Sequence, residues 1–136
     1  MTSVDAPTKQ PIASDQDVVR VRQMVRQAAI AAKLPLVDQT KRVTAASELA
    51  RYTLVHGGGG YARVEQVHNG RRAGVRVTFA DEGPGIADLD LALTDGYTTG
   101  GGLGLGLSGS RRLCDEFDID TAAGQGTRVT VVKWAR

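Results

Sequence analysis

Cysteine is nearly absent from this 136-residue chain. Cys114 stands alone, so no internal disulfide can form and no cysteine-based metal cluster can be built. Aromatic residues make up 4%, which leaves few platforms for stacking bases. No apolar run approaches the roughly 18 residues of a membrane span, and the opening MTSVDAPTKQ lacks the apolar segment of a secretory signal. Charge of one sign is missing too. Seventeen Lys and Arg oppose 15 Asp and Glu for a net +2, and the basic residues are scattered, so no nucleic-acid footprint is expected. No G-K-[ST] occurs, which excludes a P-loop. These absences lead us to expect a reduced, cytoplasmic protein with neither nucleic acid nor membrane as partner. At this length one core, burying roughly two-thirds of the unfolded surface, needs no disulfide or metal staple.

Glycine is the exception to this scarcity, with 17 among 136 residues against an average near 7%. None precedes Gly57. Gly57 to Gly60 then form a run of four, and seven more fall between Gly96 and Gly109. There is no G-x-y period, and 41% of the residues are apolar, so neither collagen nor a disordered linker fits. Glycine concentrated in this way marks loops where backbone approaches a ligand or takes a positive φ.

The pattern of elements reads as follows. Residues 1 to 9 are polar, contain Pro7 and are expected as a flexible tail, ahead of one domain over 10–136. Gln10 to Ala13 suits a short strand. Asp15 or Asp17 can cap a helix whose apolar positions Val18, Val21, Val25, Ala28, Ala29 and Ala32 follow the 3.6 period until Pro35. Asp38 can cap a second helix, which the glycine run after His56 stops. Tyr61 to His68 and the alternating Val75, Val77 and Phe79 read as strands around an Asn69-Gly70 turn. Asp88 to Leu93 is at most a short helix, and Gly96 to Gly109 is a long glycine-rich connection. Ser108 can cap a third helix to about Phe117, before strands at Asp118 to Thr121 and Thr127 to Trp134. Two helices followed by tight strand pairs argue for an α+β sandwich, with an antiparallel or mixed sheet covered by helices.

Four segments carry candidate chemistry. In D-E-G-P-G, Asp81 shares the inward face of Val75, Val77 and Phe79. A carboxylate there calls for a donor, either a purine amine or the N–H groups of the next turn. Taken alone, the segment also fits an ordinary Asp-x-Gly turn. The glycines of Gly96 to Gly109 can turn successive N–H groups toward phosphate and can close as a lid. Gly104 to Gly109 formally matches G-x-G-x-x-G, but no buried strand or parallel βαβ unit surrounds it, as a dinucleotide site requires. Glu48 and Tyr52 share one face of the second helix, and Glu48 is a candidate base or metal-shell ligand; read singly, it also fits a solvated position. His56 and His68 lack metal-ligand spacing. In G-Q-G-T, Thr127 has the parity of Val129 and Val131 and can turn its hydroxyl to a ligand.

Taken together, the order and spacing of these segments resemble the GHKL (histidine kinase-like) ATPase superfamily, and within it the RsbT-type anti-sigma regulatory serine/threonine kinases. The likeness rests on S-E-L-A-R (Ser47 to Arg51), D-E-G-P-G-I (Asp81 to Ile86), D-G-Y-T-T-G-G-G-L-G-L-G-L (Asp95 to Leu107), R-R-L-C-D-E-F (Arg111 to Phe117), and G-Q-G-T through K-W (Gly124 to Trp134). It covers about residues 10 to 136. The resemblance implies a Bergerat fold, a two-layer sandwich with a mixed, mostly antiparallel sheet covered by helices on one face. It implies that Asp81 accepts the adenine amine, that Gly83 and Gly85 let backbone pass the base, and that Thr127 supports the Asp81 contact. Gly102, Gly104 and Gly106 would cradle the phosphates of ATP, and Glu48 would be the base for a substrate serine. The partners implied are a STAS-domain antagonist protein as substrate and a regulator such as a PP2C-type phosphatase, in bacterial partner switching.

One position departs from the family pattern. The residue four after the Glu is normally Asn, a Mg²⁺ ligand, and here it is Tyr52. A neutral phenol is a poor ligand for this hard cation. Three outcomes are open at this point. Mg²⁺ can be held by phosphates, water and Glu48; the chain can be a pseudokinase that regulates a partner by binding; or Tyr52 can fill the pocket.

Overall fold

The computed structural model describes residues 2–4, 8–86 and 106–135. In chain order its elements are β1 (Thr2–Val4), β2 (Thr8–Ile12), α1 (Asp15–Ala31), α2 (Leu36–Val55), β3 (Gly60–Asn69), β4 (Arg72–Asp81), α3 (Gly106–Arg112), β5 (Glu116–Thr121) and β6 (Thr127–Trp134). The sheet runs β1-β3-β4-β6-β5, and β2 lies on the same edge of β3 as β1. The expected two-layer α+β sandwich is present, and of the antiparallel or mixed sheet expected, every pairing among the described residues is antiparallel. The short helix expected over 88–93 and the loop from residue 96 to 105 lie outside the described residues. Among those described, no helix is long and apolar enough to cross a membrane.

The helix periodicity holds in α1, where Val18, Val21, Val25 and Ala29 are buried. The caps differ from expectation. Ser14, not Asp15 or Asp17, is the N-cap of α1 and accepts the Asp17 N–H. Asp17 instead accepts the Ala13 N–H at 2.8 Å and pairs with Arg20 at 3.0 Å. The Ala13 bond holds its carboxyl below the usual range against burial, with Arg20 adding to it. Asp38 does not cap α2, whose first turn follows Pro35; it is buried and lies 3.7 Å from Lys133 Nζ. Ser108 lies inside α3, which starts at Gly106 and ends at Arg112, so Phe117 falls in β5. Within residues 1 to 9, expected as a tail, Thr2–Val4 and the start of Thr8–Ile12 pair along β3. An edge strand is held through its backbone and needs no apolar alternation, so composition does not announce it.

Strand alternation decides which face meets the helices. Val75, Val77 and Phe79 of β4 align with Gln66, Val64 and Ala62 of β3 and with Lys133, Val131 and Val129 of β6. The valines, Phe79 and Ala62 join Val21, Val25, Val43, Ala46, Leu49 and Ala50 in one core. The hairpin between β3 and β4 closes through Gly70 and Arg71, with Gly70 at φ 63; a glycine at the first central position suits the primed turns that match strand twist.

The inward face of α2 is not wholly apolar, and this was not legible in the sequence. Arg42 is fully buried there; its Nη2 donates to the carbonyls of Val75 and Val131, each at 2.8 Å, and its Nη1 meets Cys114 Sγ at 3.5 Å. One guanidinium thus ties α2 to two central strands. Burial pushes the Cys114 thiol up, and Arg42, pulling the other way, does not outweigh it. One turn earlier, Asp38 faces Lys133, which also reaches Asp115 at 3.1 Å. Asp115 accepts the Trp134 N–H, and Glu116 accepts the Trp134 indole N–H at 2.6 Å. The D-E and K-W residues of the sequence motifs therefore hold the far end of β6.

Two stability predictions follow from these contacts. The end of α1 is closed by Leu34 N–H to Ala29 and Lys33 N–H to Ile30, with Lys33 at φ 62 in the position that glycine normally fills. Lys33→Gly is expected to raise stability by about 0.5–1 kcal/mol, read from the thermal midpoint. Arg42→Met keeps the volume without the donors and is expected to cost about 1–3 kcal/mol. Arg42→Ala adds a cavity and should cost about 2 kcal/mol more, measured by urea unfolding; a Met variant as stable as the native chain would mean that these bonds contribute nothing net.

Candidate functional site

The chain converges at one end of the sheet, where β4 leaves as D-E-G-P-G, α2 runs out into Gly57 to Gly60, and β5 turns into β6 through G-Q-G. Asp81 ends β4 and stands in register between Gly60 of β3 and Thr127 of β6. Its Oδ1 accepts the Gly83 N–H at 2.8 Å, a local turn bond that fixes the carboxylate and leaves its remaining lone pairs available. A Cβ on Gly57 would collide with the Asp81 carboxyl group, and one on Gly83 would come within 2.7 Å of the Gly57 Cα. The carboxylate is seated directly on bare backbone.

The loop after Asp81 is pinned from outside. The carbonyls of Gly83 and Pro84 accept the N–H groups of Gly126 at 3.1 Å and Gly124 at 2.6 Å. The Gly85 carbonyl is met by His56 Nε2 at 3.1 Å. The Ile86 N–H donates to Thr121 Oγ1 at 3.0 Å. Thr121 in turn contacts the Gly126 carbonyl and the Thr127 hydroxyl, both at 2.9 Å. The single Thr121 proton serves the Gly126 carbonyl, so the Thr127 hydroxyl donates to Thr121 and presents acceptor lone pairs elsewhere. The structure places Thr127 opposite Asp81 in the β4–β6 pairing, and its hydroxyl binds Thr121. Thr121 was missed in the sequence; the available signal was its place opposite Thr127 across the G-Q-G turn.

Asp81 and Thr127 share the wall of a cleft of about 950 Å³ at this end of the sheet. Gly57 to Gly60, Glu82 and Gln125 also line it, and Lys9, Tyr61 and Arg128 extend it along the sheet face turned away from α1 and α2. Lys9 Nζ lies 4.2 Å above the Tyr61 ring. Glu48 and Tyr52 do not line this cleft. They are half-buried on α2, one turn or about 6 Å apart along its axis. The Tyr52 ring stacks on His56, with centroids 4.7 Å apart and planes 25° from parallel. Gly102 and Gly104 lie outside the described residues, and Gly106 opens α3. The structure thus groups Asp81, Gly83, Gly85 and Thr127, and joins α2 to them through His56. The sequence shows His56 as a helix end without metal-ligand spacing, and only the fold brings its ring to the Gly85 carbonyl.

The donor set bears on metal binding. Among the described residues no group of three or more His, Cys, Asp or Glu could hold a metal ion. Mg²⁺ is commonly held by one or two carboxylates together with substrate phosphates. Glu48 fits such a part; the Tyr52 phenol, stacked on His56, does not.

The glycine contacts can be tested by adding one carbon. Gly124→Ala, at φ 78 in open space, is expected to cost about 1–2 kcal/mol for its left-handed backbone alone. Gly85→Ala, at φ 71 with the Ala122 carbonyl in its path, should cost at least about 2 kcal/mol more. Equal losses in urea unfolding would show that the close approach at Gly85 does not limit the loop.

Comparison with known proteins agrees with this geometry. The model of the family described as "Histidine kinase-, DNA gyrase B-, and HSP90-like ATPase" matches residues 37–135. The serine/threonine-protein kinase RsbT of Bacillus subtilis (strain 168) is 41% identical over 125 residues, covering 92% of this chain and 94% of that protein. An anti-sigma F factor of Clostridium beijerinckii is 30% identical over 115 residues, covering 78% and 79% of the two chains. Among solved structures, the RsbU and RsbW domains of a Mycobacterium tuberculosis protein superpose with a TM-score of 0.66 at 19% identity. That match covers 97% of this chain and 33% of the other, a likeness of fold.

Proposed function

Because the chain belongs to the histidine kinase-, DNA gyrase B- and HSP90-like ATPase family, within its RsbT-type serine/threonine kinases, we propose that it transfers the γ-phosphoryl group of ATP to a serine of a small STAS-domain antagonist protein. Family membership implies ATP as the nucleotide. The observation that carries the reading is the Asp81 carboxylate, seated on glycine backbone with its loop pinned at three successive carbonyls. An acceptor held in this way suits an adenine amine, because the ordering cost is met before the ligand arrives.

In this reading the base meets Asp81, Gly83 and Gly85 let backbone pass the purine, and Thr127 adds acceptor lone pairs beside it. Gly102, Gly104 and Gly106 take the phosphates. Glu48 orients the substrate serine and receives its proton as the serine oxygen bonds to the γ-phosphorus and ADP departs. Bound with the phosphates, Mg²⁺ would neutralise charge, and Glu48 is the residue of α2 that could join its shell. Most of the rate enhancement would come from positioning and charge. The output is partner switching: the phosphorylated antagonist releases its hold, and the kinase engages a second partner such as a PP2C-type phosphatase in the cytoplasm. A second reading is favoured by Tyr52, which stands where the family has its Mg²⁺-ligating Asn: a pseudokinase that binds nucleotide or partner without transfer.

The deciding experiment incubates the protein with labelled ATP, Mg²⁺ and a STAS-domain partner. Label on the partner's serine supports the kinase; nucleotide binding without label supports the switch. Asp81→Asn keeps the turn bond to Gly83 and is expected to weaken ATP binding about 10- to 100-fold in titration calorimetry. Glu48→Gln should leave that affinity within about threefold while lowering transfer by about 10²–10⁴. If both variants lose binding alike, the separation of recognition from chemistry is wrong.

A further inference from the structure

Three successive carbonyls of the Asp81 loop are occupied, and the third differs from the others. Gly83 and Pro84 are bonded from the neighbouring β5–β6 turn. Gly85 is bonded from the helical layer, by His56 Nε2 at 3.1 Å. A carbonyl oxygen only accepts, so Nε2 carries the proton. The ring that donates it is set from both sides. The His56 backbone N–H closes the end of α2 on Tyr52, and the Tyr52 ring lies against the imidazole at 4.7 Å. The same helix carries Glu48, two turns before His56.

We propose that His56 is a positioning residue for nucleotide recognition: its Nε2–H holds the Gly85 carbonyl, fixes the Asp81 loop relative to the Glu48 helix, and so sets the preference for adenine over guanine. Tyr52 then serves as the stacking partner that orients this imidazole. The inference rests on the ATP reading above. Asp81 discriminates bases only if its carboxylate is held where an amine, and not the carbonyl of guanine, meets it. A loop freed at Gly85 can shift so that the carboxylate accepts instead from the N1–H and exocyclic amine of guanine. Losing one charge-neutral hydrogen bond at a part-buried carbonyl corresponds to about a five- to tenfold change in affinity.

The test compares the native chain with His56→Phe, which keeps a ring for Tyr52 and loses the donor, and His56→Gln, which keeps an N–H of similar reach and loses the ring. Titration calorimetry with Mg-ATP and Mg-GTP gives affinity and base preference. Amide hydrogen exchange on the nucleotide-free proteins reads Gly83, Gly124 and Gly126 directly. We expect His56→Phe to bind ATP about five- to tenfold more weakly, to narrow the ATP-over-GTP ratio, and to speed exchange at those amides. His56→Gln should restore all three to within about twofold. A residue that merely stabilised the helix end would lower the thermal midpoint without moving the ATP-to-GTP ratio, and that result overturns the proposal. So does a Gln variant as impaired as Phe. If the native chain binds neither nucleotide, the ATP reading fails on its own, and unchanged exchange in His56→Phe separately removes the link to Gly85. Should the Phe variant not fold, His56→Ala provides the same comparison.

Discussion

The architecture of the site depends on backbone meeting backbone. At one end of the sheet three segments approach too closely for any side chain: the exit of α2 at Gly57, the exit of β4 at Gly83 and Gly85, and the entry to β6 at Gly126. A Cβ at Gly57 would strike the Asp81 carboxyl group, one at Gly85 the Ala122 carbonyl, and one at Gly126 the Asp81 carbonyl. Because each segment belongs to a different element, this contact joins the helical layer to β4 and β6 as well as shaping the cleft. Close approach also explains how a carboxylate with no ion pair among the described residues can sit on the inward side of β4: the N–H of Gly83 is brought within 2.8 Å of it. The fold does not tolerate these glycines as loop filler; it is assembled around them.

The opposite end of the two layers is held by charge. Arg42 spans from α2 to the carbonyls of Val75 and Val131, and Lys133 lies between Asp38 and Asp115. A buried guanidinium is costly to desolvate, and the cost is offset only when its donors find acceptors of good geometry. Here the acceptors lie on two adjacent central strands, so the arrangement also sets where α2 lies across the sheet. That setting matters to the other end of the same helix, because α2 carries Glu48, Tyr52 and His56. The register of α2 is thus determined by Arg42 and Asp38 near its start and by the glycine contact at its finish, with the proposed chemistry in between.

Several elements could be read from the chain because their signals are local. The period of Val18, Val21, Val25 and Ala29, the alternation of Val75, Val77 and Phe79, and the glycines after His56 each reflect a preference expressed over a few residues. Other features could not be read in this way. Ser14, Asp15 and Asp17 are all good cap residues, and the chain alone does not decide between them. An arginine on a helix carries no local sign of burial, and that of the Arg42 head group depends on carbonyls 33 and 89 residues away. The edge strand Thr2–Val4 has no apolar pattern to reveal it. Thr121 and His56 became part of the site only when β5, α2 and the Asp81 loop were brought together.

By itself, the sequence determined the order of the site segments, their glycine content and the chemistry each can supply, and through these the family. It also carried the departure at Tyr52, a difference of residue type that needs no coordinates to see. Tertiary structure alone decided which of these groups meet. Asp81, Thr127, Thr121 and Gly126 come together because β4 and β6 pair in register, and His56, one turn after Tyr52 on α2, meets the Gly85 carbonyl because the helix ends where the glycine run packs against Asp81. Residue type sets what a group can donate or accept, a property of short range. Which donor reaches which acceptor is a matter of distance, and distance is set by strand pairing and close packing between segments far apart in the chain.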